Sequence, residues 1–119
     1  MDLYDKMLES YISTLLEKKI IRLGGFNISV GGNPSPQDVK KIMASYRTGK
    51  QFAVKKLYPI YKRSWDGKAS PQTFSANMKP SGINFQASGW DLFFNTNMFE
   101  DHSIVVRFNK NGKPVDAHI

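Results

Sequence analysis

The stretch from Lys40 to Trp65 holds the residue types in this sequence that bear most directly on chemistry. Between Asp38 and Asp66, the cations Lys40, Lys41, Arg47, Lys50, Lys55, Lys56, Lys62 and Arg63 occur without one intervening acid, interleaved with Tyr46, Phe52, Tyr58, Tyr61 and Trp65. Cations neutralise phosphates and aromatic rings stack on exposed bases, so a nucleic-acid surface needs the two side by side. The segment therefore reads as a binding site for nucleic acid or another anionic partner, formed by Lys40, Lys41, Arg47, Lys50, Lys55, Lys56, Tyr58, Tyr61, Lys62, Arg63 and Trp65. The same pattern also describes a solvated helix face whose aromatics turn into the core. Tyr46 belongs to that second description, because it shares a stripe with Val39, Ile42 and Met43.

A second group is Glu100, Asp101 and His102, with His118 near the C-terminus. Carboxylates beside an imidazole can hold a metal or exchange protons. They equally make an ordinary polar turn between two apolar strands, and no further cluster joins them. The glycine pairs Gly24–Gly25 and Gly31–Gly32 match neither the Walker spacing nor the dinucleotide fingerprint, and turn formation accounts for them. Nucleophile-elbow, zinc and kinase motifs are missing. With zero cysteines, disulfides and thiolate metal sites are excluded. The expectation is a non-catalytic protein with no cofactor and no metal.

Charge and composition point the same way. The net charge of +7 comes from the middle block, since the first twenty residues and the tail beyond Gly67 nearly balance. A chain of 119 residues with 40% hydrophobic and 23% charged residues belongs to the globular class rather than the disordered one. That length suits a single domain spanning residues 1–119. Neither a secretory signal pattern nor an apolar run of membrane-spanning length occurs, so the expected location is cytoplasmic, away from any membrane.

The elements that must position these residues follow from periodicity. Tyr4, Leu8, Tyr11 and Leu15, with Ile12 and Leu16 beside them, recur at spacings of three and four and predict an amphipathic helix over about 2–20, with acids leading and lysines trailing as the helix dipole favours. Phe26, Ile28 and Val30 alternate as a short strand. Ser35 and Pro36 predict a helix start, with Asp38 in its first turn, and Gly49 is the expected stop. Residues 50–58 fit either helix or strand, Pro59 ends either one, and 65–80 reads as a long surface loop. Ser88–Gly89 and Asn111–Gly112 predict two C-terminal hairpins. The first would pair Ala87 with Trp90, Phe85 with Leu92 and Ile83 with Phe94. The second would pair Phe108 with Val115, Arg107 with Asp116, Val106 with Ala117 and Val105 with His118. Pro114, which lacks an N–H, marks the last strand as a sheet edge. The predicted fold is α+β: an antiparallel sheet of three to five strands, including the two C-terminal hairpins, with two helices packed on one face.

Three functional readings follow, in order. The first is a small, basic nucleic-acid-binding accessory protein that contacts phosphates through the Lys40 to Trp65 segment. The second is a protein-binding module, such as a small inhibitor or assembly subunit encoded by a phage or mobile element, that docks on an acidic protein surface. The third is a small ribonuclease using His102, His118, Arg107 and Tyr61.

Overall fold

The computed structural model describes residues 2–119. In chain order the elements are α1 (Leu3–Glu17), β1 (Ile20–Leu23), β2 (Phe26–Gly31), α2 (Pro36–Ser64), α3 (Pro71–Asn77), β3 (Lys79–Gln86), β4 (Gly89–Asn95), β5 (Ile104–Asn109) and β6 (Pro114–His118).

Helix α1 starts at Asp2, whose carboxylate accepts from the Asp5 N–H at 2.8 Å. It ends at Glu17 rather than Ile20, because Lys19 turns the chain at φ 56° and Ile20 and Ile21 enter β1. Those isoleucines continue the apolar spacing of α1, which conceals the strand in the sequence. Gly24 and Gly25, at φ 56° and 83°, close the turn from β1 to β2; two adjacent residues at positive φ are what a type I′ hairpin turn requires.

Helix α2 opens with a reciprocal capping box in which Asp38 N–H donates to Ser35 Oγ and Ser35 N–H to Asp38 Oδ2. It then runs through both of its expected stops. Gly49 is buried where the helix backbone meets the Phe108 ring, and an added Cβ would collide with that ring. Its missing side chain permits close packing and does not end the helix. Pro59 lies on the exposed side of α2, where the carbonyl deprived of its amide partner stays accessible to water. Part of the expected 65–80 loop is α3, which repeats the signal at Ser35 and Pro36: Ser70 Oγ accepts from Thr73 N–H, and Pro71 holds the first helical position.

The strands form one six-stranded sheet in the order β1-β2-β3-β4-β5-β6. The predicted α+β class holds, with one strand more than expected and three helices in place of two. The sheet is also mixed, since β2 and β3 pair in parallel through Val30 and Ile83 while every other pair is antiparallel. The connection through α2 and α3 explains this: a long crossover returns the chain to the same end of the sheet before the next strand begins.

Between β3 and β4 the register differs from the predicted one by two residues. Phe85 pairs with Trp90, Ile83 with Leu92 and Gln86 with Gly89, so Ala87 and Ser88 form the turn. Gly89 belongs to the strand. It sits at φ 143° with Phe108 and Asn109 backbone where a Cβ would go, and only glycine allows that approach. Between β5 and β6, Val105–His118, Val106–Ala117 and Arg107–Asp116 pair as predicted, after which a bulge sets Phe108 opposite Pro114 instead of Val115. The turn there is type I followed by Gly112 at φ 85°, with Gly112 N–H donating to Asn109 O and Asn109 N–H to Lys113 O. That is the glycine-bulge hairpin. Strand β6 is an edge, as Pro114 requires.

One face of the sheet is apolar. Ile21, Ile28, Val30, Ile83, Leu92, Phe94, Trp90, Val106, Phe108 and Ala117 are all buried in a common core. Helix α2 lies on this face, with Tyr46 against Phe94 at 5.9 Å between ring centroids. Alternate positions, among them Asn27, Asn84, Asp91, Arg107 and Asp116, carry polar groups on the other face. Among the described residues, no helix is long and apolar enough to cross a membrane.

Candidate functional site

Helix α2 carries the whole basic block, so the helical period decides where each cation points. Val39, Ile42, Gly49, Ala53, Leu57 and Tyr61 form its buried face. On the opposite side Lys41, Thr48, Lys55 and Lys62 recur every seven residues, two turns apart, which aligns them along the outward face over about 32 Å. Arg47 flanks this line on one side, and Lys56 and Arg63 flank it on the other. All these side chains are exposed.

Carboxylates reach only two of the eight cations. Lys40 pairs with Glu9 of α1 at 3.0 Å, and Lys56 pairs with Asp116 on the edge strand. The Lys56 ammonium holds the Asp116 carboxyl below its ordinary range, assisted by a hydrogen bond from His118. Among the described residues, Lys41, Arg47, Lys50, Lys55, Lys62 and Arg63 have no carboxylate within ion-pair distance. Lys50 differs from the others: it is half-buried beside the apolar face, and desolvation lowers its pKa.

The aromatics of the segment turn inward. Tyr61 is 7% exposed, with its ring packed on Phe74, Phe99 and Tyr58. Its hydroxyl accepts from the Lys68 and Ala69 N–H groups at 3.1 and 3.0 Å, and Gly67 crosses the ring so closely that a Cβ would clash. Tyr58 donates its hydroxyl to Ala69 O at 2.8 Å and meets Phe74 edge-on. Trp65 packs edge-on against Phe99 and His102. These three residues tie the end of α2 to α3 and to the segment before β5. They do not form a stacking platform beside the lysines.

One cation, Lys113, joins the patch from outside the segment. The β5–β6 turn lies against the first half of α2, where Lys41 Nζ donates to Lys110 O at 3.0 Å and Gly112 meets Lys41 and Ser45. Lys41, Ser45, Thr48, Asn111 and Lys113 line a shallow groove there. Its lining has ammonium, hydroxyl and amide groups and no carboxylate. The sequence signal for Lys113 is a lysine just after Asn-Gly, and nothing local links it to a helix some seventy residues earlier.

Of the residues named for ribonuclease chemistry, Arg107 and His118 both neighbour Asp116 across β5 and β6, whereas His102 and Tyr61 lie by the end of α2. His102 packs on Trp65, Tyr61 is enclosed, and Arg107 is held by Asp91 at 3.4 Å and Ser88 at 2.9 Å. His118 contacts Asp116 through Nδ1 at 3.2 Å. Among the described residues no group of three or more His, Cys, Asp or Glu side chains converges as metal ligands do.

Comparison with protein-family models, with curated proteins and with solved structures finds no match for this chain.

Proposed function

We propose that the protein binds nucleic acid through the outward face of α2, contacting the phosphate backbone without catalysing a reaction on it. The observation that carries this reading is the acid-free line of Lys41, Lys55 and Lys62 with Arg47 and Arg63 beside it. Such a surface concentrates positive potential where no carboxylate offsets it. Lys113 and the groove beside Lys41 extend it at one end. With Tyr58 and Tyr61 turned inward, recognition rests on backbone charge, and sequence preference is weak.

Fluorescence anisotropy with labelled DNA and RNA oligonucleotides tests the reading. Four or so phosphate contacts give a slope of about −3 to −4 in log affinity against log salt. Reversing Lys55 and Lys62 together to Glu should abolish most of the binding, whereas Lys50→Met should leave it nearly unchanged. Absence of binding at low salt, or affinity indifferent to salt, removes the proposal.

A second reading is a protein-binding module, such as a phage- or mobile-element-encoded inhibitor or assembly subunit, with the same cations facing an acidic protein surface. It is favoured by the exposed apolar side chains of α1, which nucleic-acid binding leaves unused. Stoichiometric recovery of one acidic protein from a native host, lost in the Lys55→Glu, Lys62→Glu variant, would select it over the first.

A further inference from the structure

The row of cations on the outward face of α2 is uneven, and its gaps carry information. Lys41, Thr48, Lys55 and Lys62 are spaced by seven residues, but Thr48 has no charge. At a rise of about 1.5 Å per residue, Lys41 to Lys55 is about 21 Å and Lys55 to Lys62 about 10.5 Å. Each end of the row has a second cation: Lys113 lines the groove with Lys41, and exposed Arg63 follows Lys62. The Lys41 ammonium gives one N–H to Lys110 O and keeps two for a ligand.

Double-stranded DNA presents its phosphates with the same unevenness. A line parallel to the duplex axis crosses the two backbones in turn. Major and minor grooves about 12 and 6 Å wide divide each turn of about 34 Å into a gap of roughly 20–23 Å and one of roughly 11–14 Å. With α2 along that axis, Lys41 and Lys55 meet the backbones on either side of the major groove, and Lys62 meets the next backbone across the minor groove. Thr48 then faces the major groove, where there is no phosphate to neutralise. The shape of the molecule allows this approach. Helix α2 has 29 residues and is about 43 Å long, too long for either short dimension of a molecule of 49 × 25 × 24 Å, so it runs along the long one. A duplex is stiff over that distance, because its persistence length is about 500 Å.

A single strand gains less from the same face. It must be ordered to lay its phosphates on a fixed row, and stacking of bases on aromatic rings is what offsets that cost. The rings of α2 are buried or half-buried. Among the described residues, the exposed tyrosine and phenylalanine rings are Tyr4 and Tyr11, on a helix that also carries Asp5, Glu9 and Glu17, and Phe26 at the β1–β2 turn.

We infer that the nucleic acid bound by α2 is double-stranded DNA, with the helix parallel to the duplex axis and Lys41, Lys55 and Lys62 on three successive backbone crossings. This rests on the proposed nucleic-acid binding and adds to it the form of the partner and the register of contact.

Competition against a labelled duplex of about 20 base pairs, two helical turns, tests the form. About four phosphate contacts give a salt slope of about −3.6 on a duplex and about −2.8 on a single strand. With equal binding at about 1 M salt, where counterion release vanishes, that difference makes the duplex about tenfold stronger at about 50 mM. Unlabelled duplex should therefore displace the label about tenfold better than oligo(dT) at equal total phosphate. Two variants test the register. Lys55→Ala removes a backbone contact and should make the duplex slope shallower by about 0.9. Thr48→Lys completes an even row and should leave the slope unchanged, because its ammonium faces the major groove. Oligo(dT) competing as well as duplex, an unchanged slope in Lys55→Ala, or a slope steeper by about 0.9 in Thr48→Lys would each overturn the inference and leave nucleic-acid binding in place. Failure to bind either form removes both.

Discussion

Helices α1 and α2 carry similar apolar periodicity, yet they sit in the molecule differently. One face of helix α2 is buried from Val39 to Tyr61, with Phe94, Phe108, Phe74 and Phe99 packed against successive turns. Helix α1 buries Ile12 alone, and its first two turns present Leu3, Tyr4 and Met7 to solvent. The difference lies in what covers each stripe. Helix α2 crosses the apolar face of the sheet it connects, whereas α1 touches the fold on one side and leaves several apolar side chains exposed.

That contrast can be broken most forcefully by truncation. Phe74→Ala or Phe99→Ala should cost about 3–5 kcal/mol, since each removes a fully buried ring from the cluster at the end of α2. Tyr4→Ala, at a side chain 71% exposed, should stay within about 0.5 kcal/mol. Urea unfolding at low protein concentration measures both, and comparable losses would mean that α1 is as integral to the core as α2. A smaller effect is expected at Gly49→Ala, where the new methyl meets the Phe108 ring. Overpacking costs about 1–3 kcal/mol and the gain in helix propensity offsets about 1 of it. The net should be a loss of up to about 2 kcal/mol, and a stabilised variant would show that α2 can lift from the sheet.

The smallest effect concerns how α2 holds the edge strand. Asp116 titrates below the ordinary carboxylate range because Lys56 stands beside it. A carboxyl whose folded pKa is depressed contributes stability above its unfolded pKa and loses it as pH falls through the folded one. The contribution is slight, since both side chains are close to half-exposed. NMR titration of the Asp116 carboxyl should give a low midpoint that moves upward in Lys56→Ala, and an unmoved midpoint would detach the edge strand from α2.

Much of the architecture was legible residue by residue. The Ser35–Pro36–Asp38 start, the strand through Ile28, and the pairing of Arg107 with Asp116 all follow from caps, alternation and turn chemistry that act over a few residues. The same Ser-Pro signal at Ser70 went unread because the surrounding polar composition suggested a loop. Gly49, Pro59 and Gly89 misled for a common reason: each has a distant or solvent-side cause that its neighbours do not disclose. For the candidate site, the exposed cations were legible as a block. The inward turn of Tyr58, Tyr61 and Trp65 was not, because their partners Phe74 and Phe99 come from separate elements.

By itself the sequence determined the local periods, the helix starts, the glycine turns and the number of cations on one segment, since backbone geometry and neighbouring side chains settle these. Tertiary structure alone decided that β2 and β3 run parallel, that Gly49 is a contact rather than a stop, and that the aromatics face the core while the lysines face out. Burial depends on which remote residues arrive to share a surface, and no local spacing encodes their arrival.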